Sequence, residues 1–530
     1  MRSRQLSTGI IVLAVVLFAS AAFIGSVHAS SNTPVHADEV NNPDEYDGTE
    51  IIGCWGNVCY DDELNVNDED RISEDELTDV VHRSMSRVEY IREEPFDEEV
   101  EVSVMTRDEL DEIFAQQTTS EEERAYENEK WKAMFTIGED TDVLEEREKA
   151  FGASVQGFYA PTDNEVVLVV PDDSTDEFYI DGTTLFHELG HALQDQRHGL
   201  IGTQLIPETH DEDLAIDGVV EGEVVYMERE YERYCETEWD CIGSPESDGS
   251  DIDINQGLFL NLFFPYSEGP EFAQQEIEEQ GWDRVDELLN DPPESSKTII
   301  HNEEHSPPEI DYEPVDHDEW GPFTEVTDNA ETVGEAGIYT MFWHQSREYG
   351  AATFDWQEVM TDGDAIINYE HESSDGWEND ELHIFREPIE GETGYVWVTQ
   401  WETQEDAELF AETYYAVLDA HTDDLGGHYH EVTDGPFTGT YVVEHEEDTV
   451  MIVHGPDEEA TDILHPDIEQ GDDVGSDGDA ETNNDETDQP TDPDDDNTTI
   501  IIVGVGMVLA VGGSGTVYWY YTQNKTKPPI

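Results

Sequence analysis

One segment, residues 183–200 (TTLFHELGHALQDQRHGL), limits what this chain can fold into more than any other. Its apolar residues recur at helical spacing, and Thr183 or Thr184 is positioned to cap the helix. His187 and His191 are four residues apart, so on a helix both imidazoles project from one face and can bind a single metal ion. One helix offers only these two ligands, so any further ligand must come from elsewhere in the chain.

Glu188 follows the first histidine directly. It lies about 100° round the helix from His187, close enough to reach a metal-held water molecule without displacing it. This is the geometry of H-E-x-x-H, in which zinc activates water and the glutamate acts as general base. Gly190 inside the motif costs ~1 kcal/mol relative to alanine, which indicates close packing against a neighbour.

A catalytic zinc needs a third protein ligand and an open fourth position. The next helical segment, DLAIDGVVEGEVVYME, supplies four carboxylates among apolar residues: Asp217, Glu221, Glu223 and Glu228. Gly218 and Gly222 flank Glu221 and would let two helices approach closely. We therefore predict Glu221 as the third ligand and Glu223 as the alternative. Because the chain carries 132 acidic residues, carboxylates on a helix are common here, and only the glycine-flanked apolar setting distinguishes Glu221.

Other polar residues are weaker candidates. A transition-state oxyanion needs a donor beyond the metal, and His301 is the candidate, with Tyr226 and His305 behind it; a structural role is the alternative for each. His198 and His210 flank the motif helices as competing ligands.

The charge of the chain restricts its environment. Asp plus Glu number 132 against 21 Lys plus Arg, a formal net charge of −111. Such a chain repels itself unless dense counterions screen it, so we expect it to require high salt. A hydrophobic content of 36%, with 11 Trp, 22 Tyr and 19 Phe, still provides enough material for cores. No basic patch is present to meet phosphates, which excludes nucleic-acid binding.

Both ends of the chain indicate export and anchoring. Residues 1–29 read as a signal peptide, with Arg2 and Arg4 before an apolar run and a small-residue cleavage site at Ala29; an uncleaved anchor is the alternative. After an acidic lead (30–49) and the folded body, residues 457–499 read as a disordered acidic stalk. Residues 500–521 carry no charge and are long enough to cross ~30 Å of hydrocarbon as a helix. The tail, 522–530, contains lysines, so we predict a single-pass type I membrane protein with an extracellular body.

The four cysteines, Cys54, Cys59, Cys235 and Cys241, all lie in the exported body. An even number in an oxidising compartment favours disulfides. Three pairings are possible, and the two local ones, five and six residues apart, are the natural prediction. A zinc site built from all four is disfavoured, since neither spacing is C-x2-C.

The pattern of elements predicts an α+β fold. A helix follows Ser73, then a strand (EVEVSVMT) and a helix over roughly 107–136, and a hairpin (ASVQGFYAPTDNEVVLVV) precedes the H-E-x-x-H helix. We assign residues 50–245 to the metal-binding core and 246–350 to a mostly helical and irregular continuation. Residues 351–456 form an α+β region with two hairpins around an amphipathic helix. NVNDEDRISEDE resembles a calcium loop but lacks the central glycine.

FHELGHALQDQ followed by DLAIDGVVEGE resembles the zincin metallopeptidases of the gluzincin branch. More closely, the chain resembles haloarchaeal cell-surface proteins that carry peptidase domains of this kind. That likeness extends over roughly residues 50–420, through GCWGNVCYDD, SRVEYIR, GFYAP, PPESSKTIIHNEEH and DGWENDELHIFR. The resemblance implies an α+β peptidase fold, one Zn²⁺, and site roles for His187, Glu188, His191 and Glu221.

One position departs from the gluzincin pattern. The familiar helix has an acidic residue four positions after its glutamate ligand, and here that position is Val225. We therefore expect the groups that orient the histidines to come from elsewhere, with Asp217 or Asp195 as candidates.

Two functions remain open on the sequence. The first is a surface-anchored zinc metallopeptidase that hydrolyses extracellular peptide bonds, with zinc-bound water as the nucleophile and Glu188 as the general base. The second is a non-catalytic envelope protein in which a zincin-like fold serves adhesion or structure. The presence of Glu188 favours the first, since a purely structural metal site needs no base. A membrane-embedded peptidase is excluded, because the residues before the motif are too polar for a bilayer.

Overall fold

The computed structural model describes most of the body of the chain. It covers residues 51–466, with gaps at 65, 67–71, 115–118, 171–176, 244–253, 313, 315–319, 325, 328, 355–366, 390 and 423–426, together with 35–36, 509–510 and 514–515. The predicted signal peptide (1–29) and tail (522–530) lie outside the described residues, as do most of the acidic lead, the stalk and the predicted transmembrane helix. Within the described part, no helix combines the length and apolar character needed to span a bilayer.

The N-terminal half combines long helices with short strands. Its strands are β1 (Val35–His36), β2 (Ile51–Ile52), β3 (Cys54–Trp55), β4 (Val58–Cys59), β5 (Ile72–Ser73), β6 (Glu101–Thr106), β7 (Gly157–Ala160), β8 (Glu165–Val170) and β9 (Glu177–Phe178). Its helices are α1 (Glu74–Arg92), α2 (Arg107–Phe114), α3 (Glu121–Ala133), α4 (Val143–Ser154), α5 (Gly182–His198) and α6 (His210–Thr237).

The predicted hairpin is present as β7 and β8, which pair antiparallel, and β6 adds to β8 in parallel. The order β6-β8-β7 leaves β7 at one edge of this sheet. The single helix predicted over 107–136 is wrong, because the chain breaks into α2 and α3. Ser120 caps α3 by accepting a hydrogen bond from the backbone N–H of Glu123, a local start signal that the longer apolar pattern obscured.

Helices α1, α5 and α6 enclose the first core with fully buried side chains that include Met85, Leu185, Leu189 and Met227. The cap of α5 is Asp181, and not a threonine as predicted: its carboxylate accepts from the N–H groups of Thr183 and Thr184. The cap of the helix therefore lies two or three residues earlier than predicted. Both histidines of the motif are fully buried.

The region after residue 254, expected to be mostly helical and irregular, is helical over most of residues 256–301. It contains α7 (Gln256–Ser267), α8 (Gly269–Gln280), α9 (Trp282–Asn290), α10 (Ser296–His301) and, later, α11 (Gly334–His344). Helix α7 is buried on nearly all sides, with Leu260, Phe263 and Phe264 in the second core. A helix that is apolar all round has no polar face, so its sequence lacks the helical period that prediction depends on.

A six-stranded antiparallel sheet forms the C-terminal unit, in the order β10-β11-β12-β15-β14-β13. Its elements are β10 (Gly321–Pro322), β11 (Trp377–Arg386), β12 (Thr393–Trp401), α12 (Gln404–Asp419), β13 (His430–Val432), β14 (Gly439–Glu446), β15 (Thr449–Gly455) and α13 (Glu458–Leu464). Two two-residue strands, β16 (Leu509–Ala510) and β17 (Ser514–Gly515), are the only described residues further on.

Both faces of this sheet are buried. Helix α12 covers one face through Phe410 and Tyr414, and α13 covers the other through Ala460 and Leu464. Residues 457–464, predicted to belong to the disordered stalk, are folded, because Asp457 caps α13 and two apolar side chains anchor that helix to the sheet. The fold as a whole is of the mixed α+β kind, as predicted. The two local disulfides, Cys54–Cys59 and Cys235–Cys241, are confirmed.

Candidate metal centre

Helices α5 and α6 pack tightly against each other at Gly190. A Cβ atom at this position would lie 3.0 Å from Cγ1 of Val224 and 3.2 Å from Cε of Met227, both on α6. The glycine inside the histidine motif therefore has the packing role expected of it. This close contact brings the histidine face of α5 within reach of side chains on α6.

The glycines that flank Glu221 serve a different contact from the one predicted. A Cβ atom on Gly222 would lie 2.4 Å from the carbonyl oxygen of Gly269 on α8, and one on Gly218 would lie 2.9 Å from Cγ1 of Ile299 on α10. Both glycines thus face away from α5. They bring α8 and α10 close to α6, whereas the carboxylate of Glu221 lies beside the histidines of α5.

Three side chains from the two helices converge on one point. Nε2 of His187 lies 3.0 Å from Nε2 of His191, and Oε2 of Glu221 lies 3.3 Å and 3.4 Å from those two nitrogens. All three side chains are fully buried. Ligand atoms about 2.0 Å from a tetrahedral zinc ion are separated from one another by about 3.3 Å. The donor triangle therefore has the size that zinc requires.

The outer nitrogens of the two imidazoles are held by acceptors. Nδ1 of His187 lies 2.8 Å from Oε2 of Glu228, and Nδ1 of His191 lies 2.9 Å from Oε1 of Gln194. Each Nδ1–H therefore donates outward, which directs the lone pair of each Nε2 toward the other ring and toward Glu221. Two lone pairs and a carboxylate that converge within 3.4 Å repel one another unless a proton or a metal cation lies between them.

The amide of Gln194 is itself fixed in orientation. Its nitrogen donates to the carbonyl oxygen of Val220 at 2.9 Å and to Oε2 of Glu223 at 2.6 Å, so its oxygen faces His191. This arrangement ties the second histidine to α6 through two hydrogen bonds. The orientation of both rings is therefore set by α6, and not by α5 alone.

The electrostatics of the cluster favour an ionised Glu221 with a positively charged group beside it. Burial opposes ionisation of Glu221, but the two histidines hold its pKa far below the usual range. Burial also disfavours a charged His187, yet hydrogen bonds with Glu221 and Glu228 raise its pKa to about 10. Both shifts show the same preference, a positive charge beside the carboxylate, which a metal ion would satisfy.

Glu188 lies beside the triangle, and its carboxylate has no side-chain partner among the described residues. The residue is fully buried. Burial raises its pKa well above the usual range, while the backbone N–H of Tyr159 on β7 partly opposes the rise. A buried carboxylate without a side-chain partner costs free energy, which marks a position kept for a reactive or binding role.

Glu223, the alternative third ligand, has other partners. Its carboxylate forms a buried ion pair with Arg92 and accepts a hydrogen bond from Gln194. Arg92 also pairs with Asp286 and stacks over the ring of Trp282 at 4.5 Å. Glu221 therefore lies with the two histidines, whereas Glu223 contacts Gln194, the residue that holds His191.

The predicted orienting residues do not contact the histidines. Asp195 accepts from the hydroxyl of Tyr159 at 2.9 Å and from the N–H of Leu200 at 2.8 Å. Asp217 is buried on α6, and burial raises its pKa, but it forms no hydrogen bond with His187 or His191. The prediction was wrong because Glu228 and Gln194 take these positions.

The remaining candidates also lie in other environments. His301 pairs with Glu335 at 2.8 Å, and His198 pairs with Asp286 at 3.3 Å. His305 contacts the carbonyl oxygen of Glu378, Tyr226 packs edge-on against Trp282, and His210 is buried against Trp131. Burial lowers the pKa of His210 to about 3. None of these side chains forms a described hydrogen bond or ion pair with the donor triangle.

A comparison with known proteins adds one partial match. A family model described as a domain of unknown function (DUF8575) matches residues 324–465. This range contains α11 and five of the six strands of the C-terminal sheet, all but β10, and none of the residues of the donor triangle. No curated protein and no solved structure matches the chain.

Proposed function

We propose that this protein is a zinc-dependent metallopeptidase with a zincin-like core of the gluzincin type. The observation that carries the proposal is the buried triangle of His187, His191 and Glu221, with atoms 3.0–3.4 Å apart and Glu188 beside it. The donor set, two imidazoles and one carboxylate, suits zinc and leaves a fourth position for water or substrate.

The side chains divide the chemistry between them. A bound zinc ion supplies a Lewis acid that makes water nucleophilic near neutral pH and polarises a carbonyl group. Glu188 accepts the proton of the attacking water and passes it to the leaving amine nitrogen. Glu228 and Gln194 hold the imidazoles so that their Nε2 atoms stay directed at one point. A low-dielectric, buried setting strengthens each of these interactions.

The edge of the small sheet provides a place for an extended peptide. Among the described strands β7 is hydrogen-bonded only to β8, and β16 lies close to β7 without pairing with it, so the second edge of β7 could accept a partner strand that displaced β16. Tyr159, in the middle of β7, has its backbone N–H close to Glu188. A peptide that added to this edge would run past the base, which supports a peptide as the substrate.

The proposed location is the cell surface, with the body outside and a single-pass type I anchor at residues 500–521. Two disulfides in the body support an oxidising compartment. The charge of −111 supports an environment of high salt, where counterions screen the acidic surface.

Metal content and proteolysis test the proposal together. The full-length chain, purified in multimolar KCl, is expected to bind zinc and to cleave casein. Glu188→Gln should keep its zinc while its rate falls by about 10²-fold or more, the contribution typical of a general base. Zinc at the triangle with an unchanged cleavage rate in Glu188→Gln would defeat the assignment of this residue.

Two variants on α6 form a matched pair for the ligand assignment. Glu221→Gln should lose the zinc of this site, and Glu223→Gln, two residues along the same helix, should keep it. Both changes remove one charge and conserve shape, so a difference between them reports the ligand itself. Equal zinc content in the two variants would contradict the role of Glu221.

A second function is favoured by one observation, the complete burial of the site. His187, Glu188, His191 and Glu221 each have a relative exposure of 0%. A metal ion enclosed in this way would stabilise α5 against α6 in a non-catalytic adhesion or structural protein. Zinc bound at the triangle, with no cleavage of unfolded protein by the wild-type chain, is the result that this alternative predicts.

A further inference from the structure

A second group of metal-ligating side chains lies outside the donor triangle. His301 ends α10, Glu335 lies in the first turn of α11, and Asp375 lies in the loop before β11. One donor atom from each of the three lies within 4.8 Å of the other two. We propose that His301, Glu335 and Asp375 bind a second divalent transition-metal cation, with Zn²⁺ as the ion of choice.

An unpartnered oxygen of Glu335 points to a ligand. The residue is fully buried, and its Oε1 lies 2.8 Å from Nε2 of His301. Its Oε2 is buried as well and has no hydrogen-bond partner among the described residues. A buried carboxylate oxygen without a partner is costly, and a cation shared with His301 and Asp375 would remove that cost.

Lys297 acts on Glu335 only through space, because its own hydrogens have other acceptors. Nζ of Lys297 lies 3.0 Å from the carbonyl oxygen of Asp375, 2.7 Å from that of Trp377 and 2.9 Å from Oε1 of Glu402. An ammonium group has three hydrogens, so these contacts use all of its donors. Lys297 thereby holds the loop that carries Asp375 and leaves Oε2 of Glu335 to another partner.

A third cluster, of one histidine and two carboxylates, differs in having arginine partners. Glu94, His198 and Asp286 also lie within ligating distance of one another. There, however, Arg92 pairs with Asp286, and Arg197 pairs with Glu94 at 3.1 Å. Guanidinium groups thus already neutralise these carboxylates. Within the described residues, neither Glu335 nor Asp375 has an ion pair with an arginine, so of these two clusters only the one at His301 has carboxylates without a guanidinium partner.

The donor chemistry selects the class of ion. An imidazole nitrogen suits zinc and similar transition metals, whereas an all-oxygen set would favour calcium or magnesium. Glu370 adds a further carboxylate 3.7 Å from Nδ1 of His301, on the far side of the ring from Glu335. A ring that ligates through one nitrogen and faces a carboxylate through the other is typical of metal-bound histidines.

At this position a bound ion would connect separate elements of the fold. Glu335 and Asp375 lie inside the segment that matches DUF8575 (324–465), and His301 lies before it. An ion held by all three would tie α10 of the helical region to α11 and to the loop leading into β11. The chain with zinc bound here should therefore melt at a higher temperature than the chain without it.

Zinc stoichiometry in the full-length chain tests the site without reference to peptidase activity. We expect two zinc ions per wild-type chain and one in each of His301→Gln and Asp375→Asn. Glu372→Gln is the matched control, since this exposed carboxylate lies three residues before Asp375; it should retain two. Equal zinc content in wild type and both site variants would overturn the proposal.

The Glu221→Gln background isolates the second site. This variant should retain one zinc ion and melt at a higher temperature when Zn²⁺ is added, whereas Glu221→Gln/Asp375→Asn should show neither effect. A Zn²⁺-dependent shift of equal size in the double variant would overturn the assignment, as would a response of Glu221→Gln to Ca²⁺ but not to Zn²⁺. Loss of peptidase activity plays no part in these outcomes, so failure of this site is distinguishable from failure of the proposed function.

Discussion

At the scale of single residues, the orientation of the histidines depends on side chains that do not belong to the motif. His187 and His191 lie one helical turn apart on α5, yet their Nδ1 atoms contact Glu228 and Gln194, respectively. Glu228 lies seven residues after Glu221, on the same stripe of α6, and Gln194 lies three residues after His191. Helical spacing therefore contained a signal for both, although many other carboxylates share such spacings in so acidic a chain.

Removal of the acceptor beside His187 should weaken metal binding. We expect Glu228→Ala to lower zinc affinity about 10- to 100-fold, because the imidazole loses the group that fixes its tautomer and direction. Competition with a chelator of known affinity measures the change. Glu236→Ala, an exposed change on the same helix, is the control and should bind zinc as the wild type does. Wild-type affinity in Glu228→Ala would show that the ring is held by other contacts.

A second residue-scale prediction concerns Glu89 on α1. The residue is fully buried, and its carboxylate accepts from the N–H groups of Gly53 and Phe96, each at 3.0 Å. Burial nevertheless raises its pKa from 4.5 to about 8. In the unfolded chain the group ionises near its ordinary value, so its contribution to stability is full below pH 4.5 and is lost as the pH rises toward 8.

Glu89→Gln should therefore flatten the pH dependence of stability. Between pH 4.5 and 8 the free energy of unfolding of the wild type should fall more steeply with pH than that of the variant. The difference in slope is at most that expected for the release of one proton. Thermal or denaturant unfolding at a series of pH values and constant salt measures both slopes. The slopes are compared, and not the absolute stabilities, because glutamine also changes the two hydrogen bonds. Identical slopes would contradict a raised pKa for Glu89.

At the scale of elements, α6 organises the protein. This 28-residue helix presents Glu221 toward α5 and glycines toward α8 and α10. The sequence pattern suggested that Gly218 and Gly222 bring α6 close to the histidine helix, and the structure shows that Gly190 does so instead. A helical repeat identifies residues that share a face, but it does not specify which neighbour packs on that face.

Gly222→Ala tests the contact of α6 with α8. The added Cβ would meet backbone atoms of Gly269 at 2.4–2.8 Å, and backbone cannot rotate away as a side chain can. We expect a loss of about 1–3 kcal/mol in the free energy of unfolding from this overpacking. Gly321→Ala is the control, since nothing lies within 4 Å of its Cβ position. Wild-type stability in Gly222→Ala would mean that the two helices separate at little cost.

At the scale of the whole molecule, the net charge of −111 determines how we expect stability to depend on salt. Repulsion among surface carboxylates extends over a Debye length of about 30 Å at 0.01 M salt and about 3 Å at 1 M. The folded state concentrates these charges more than the unfolded chain does, so screening should stabilise folding.

We therefore expect the melting temperature to fall steadily as KCl is diluted from multimolar to 0.1 M. Circular dichroism melting curves across this range measure the change. Sucrose at matched osmolality is the control, because it strengthens burial without screening charge. A melting temperature that depends on sucrose as strongly as on KCl would show that charge repulsion is not the main cause.

The sequence by itself was sufficient for those features that depend on local patterns. The spacing of His187 and His191, the apolar setting of Glu221, the β7–β8 hairpin and the two local disulfides follow from neighbours a few residues apart. The α+β class and the need to screen the charge follow from patterning and composition. In each case the physical cause acts within one helical turn, one hairpin or the average over the chain.

Only the tertiary structure decided which distant groups meet. It assigned Glu223 to Arg92 and Glu228 to His187, joined His301 to Glu335, and gave the bounds of the helices after residue 254. It also extended the C-terminal unit through α13, past the expected start of the stalk. These outcomes depend on the packing of helices far apart in sequence. Among 132 acidic residues, burial and the nearest opposite charge, and not residue type, decide which carboxylates could hold a metal ion.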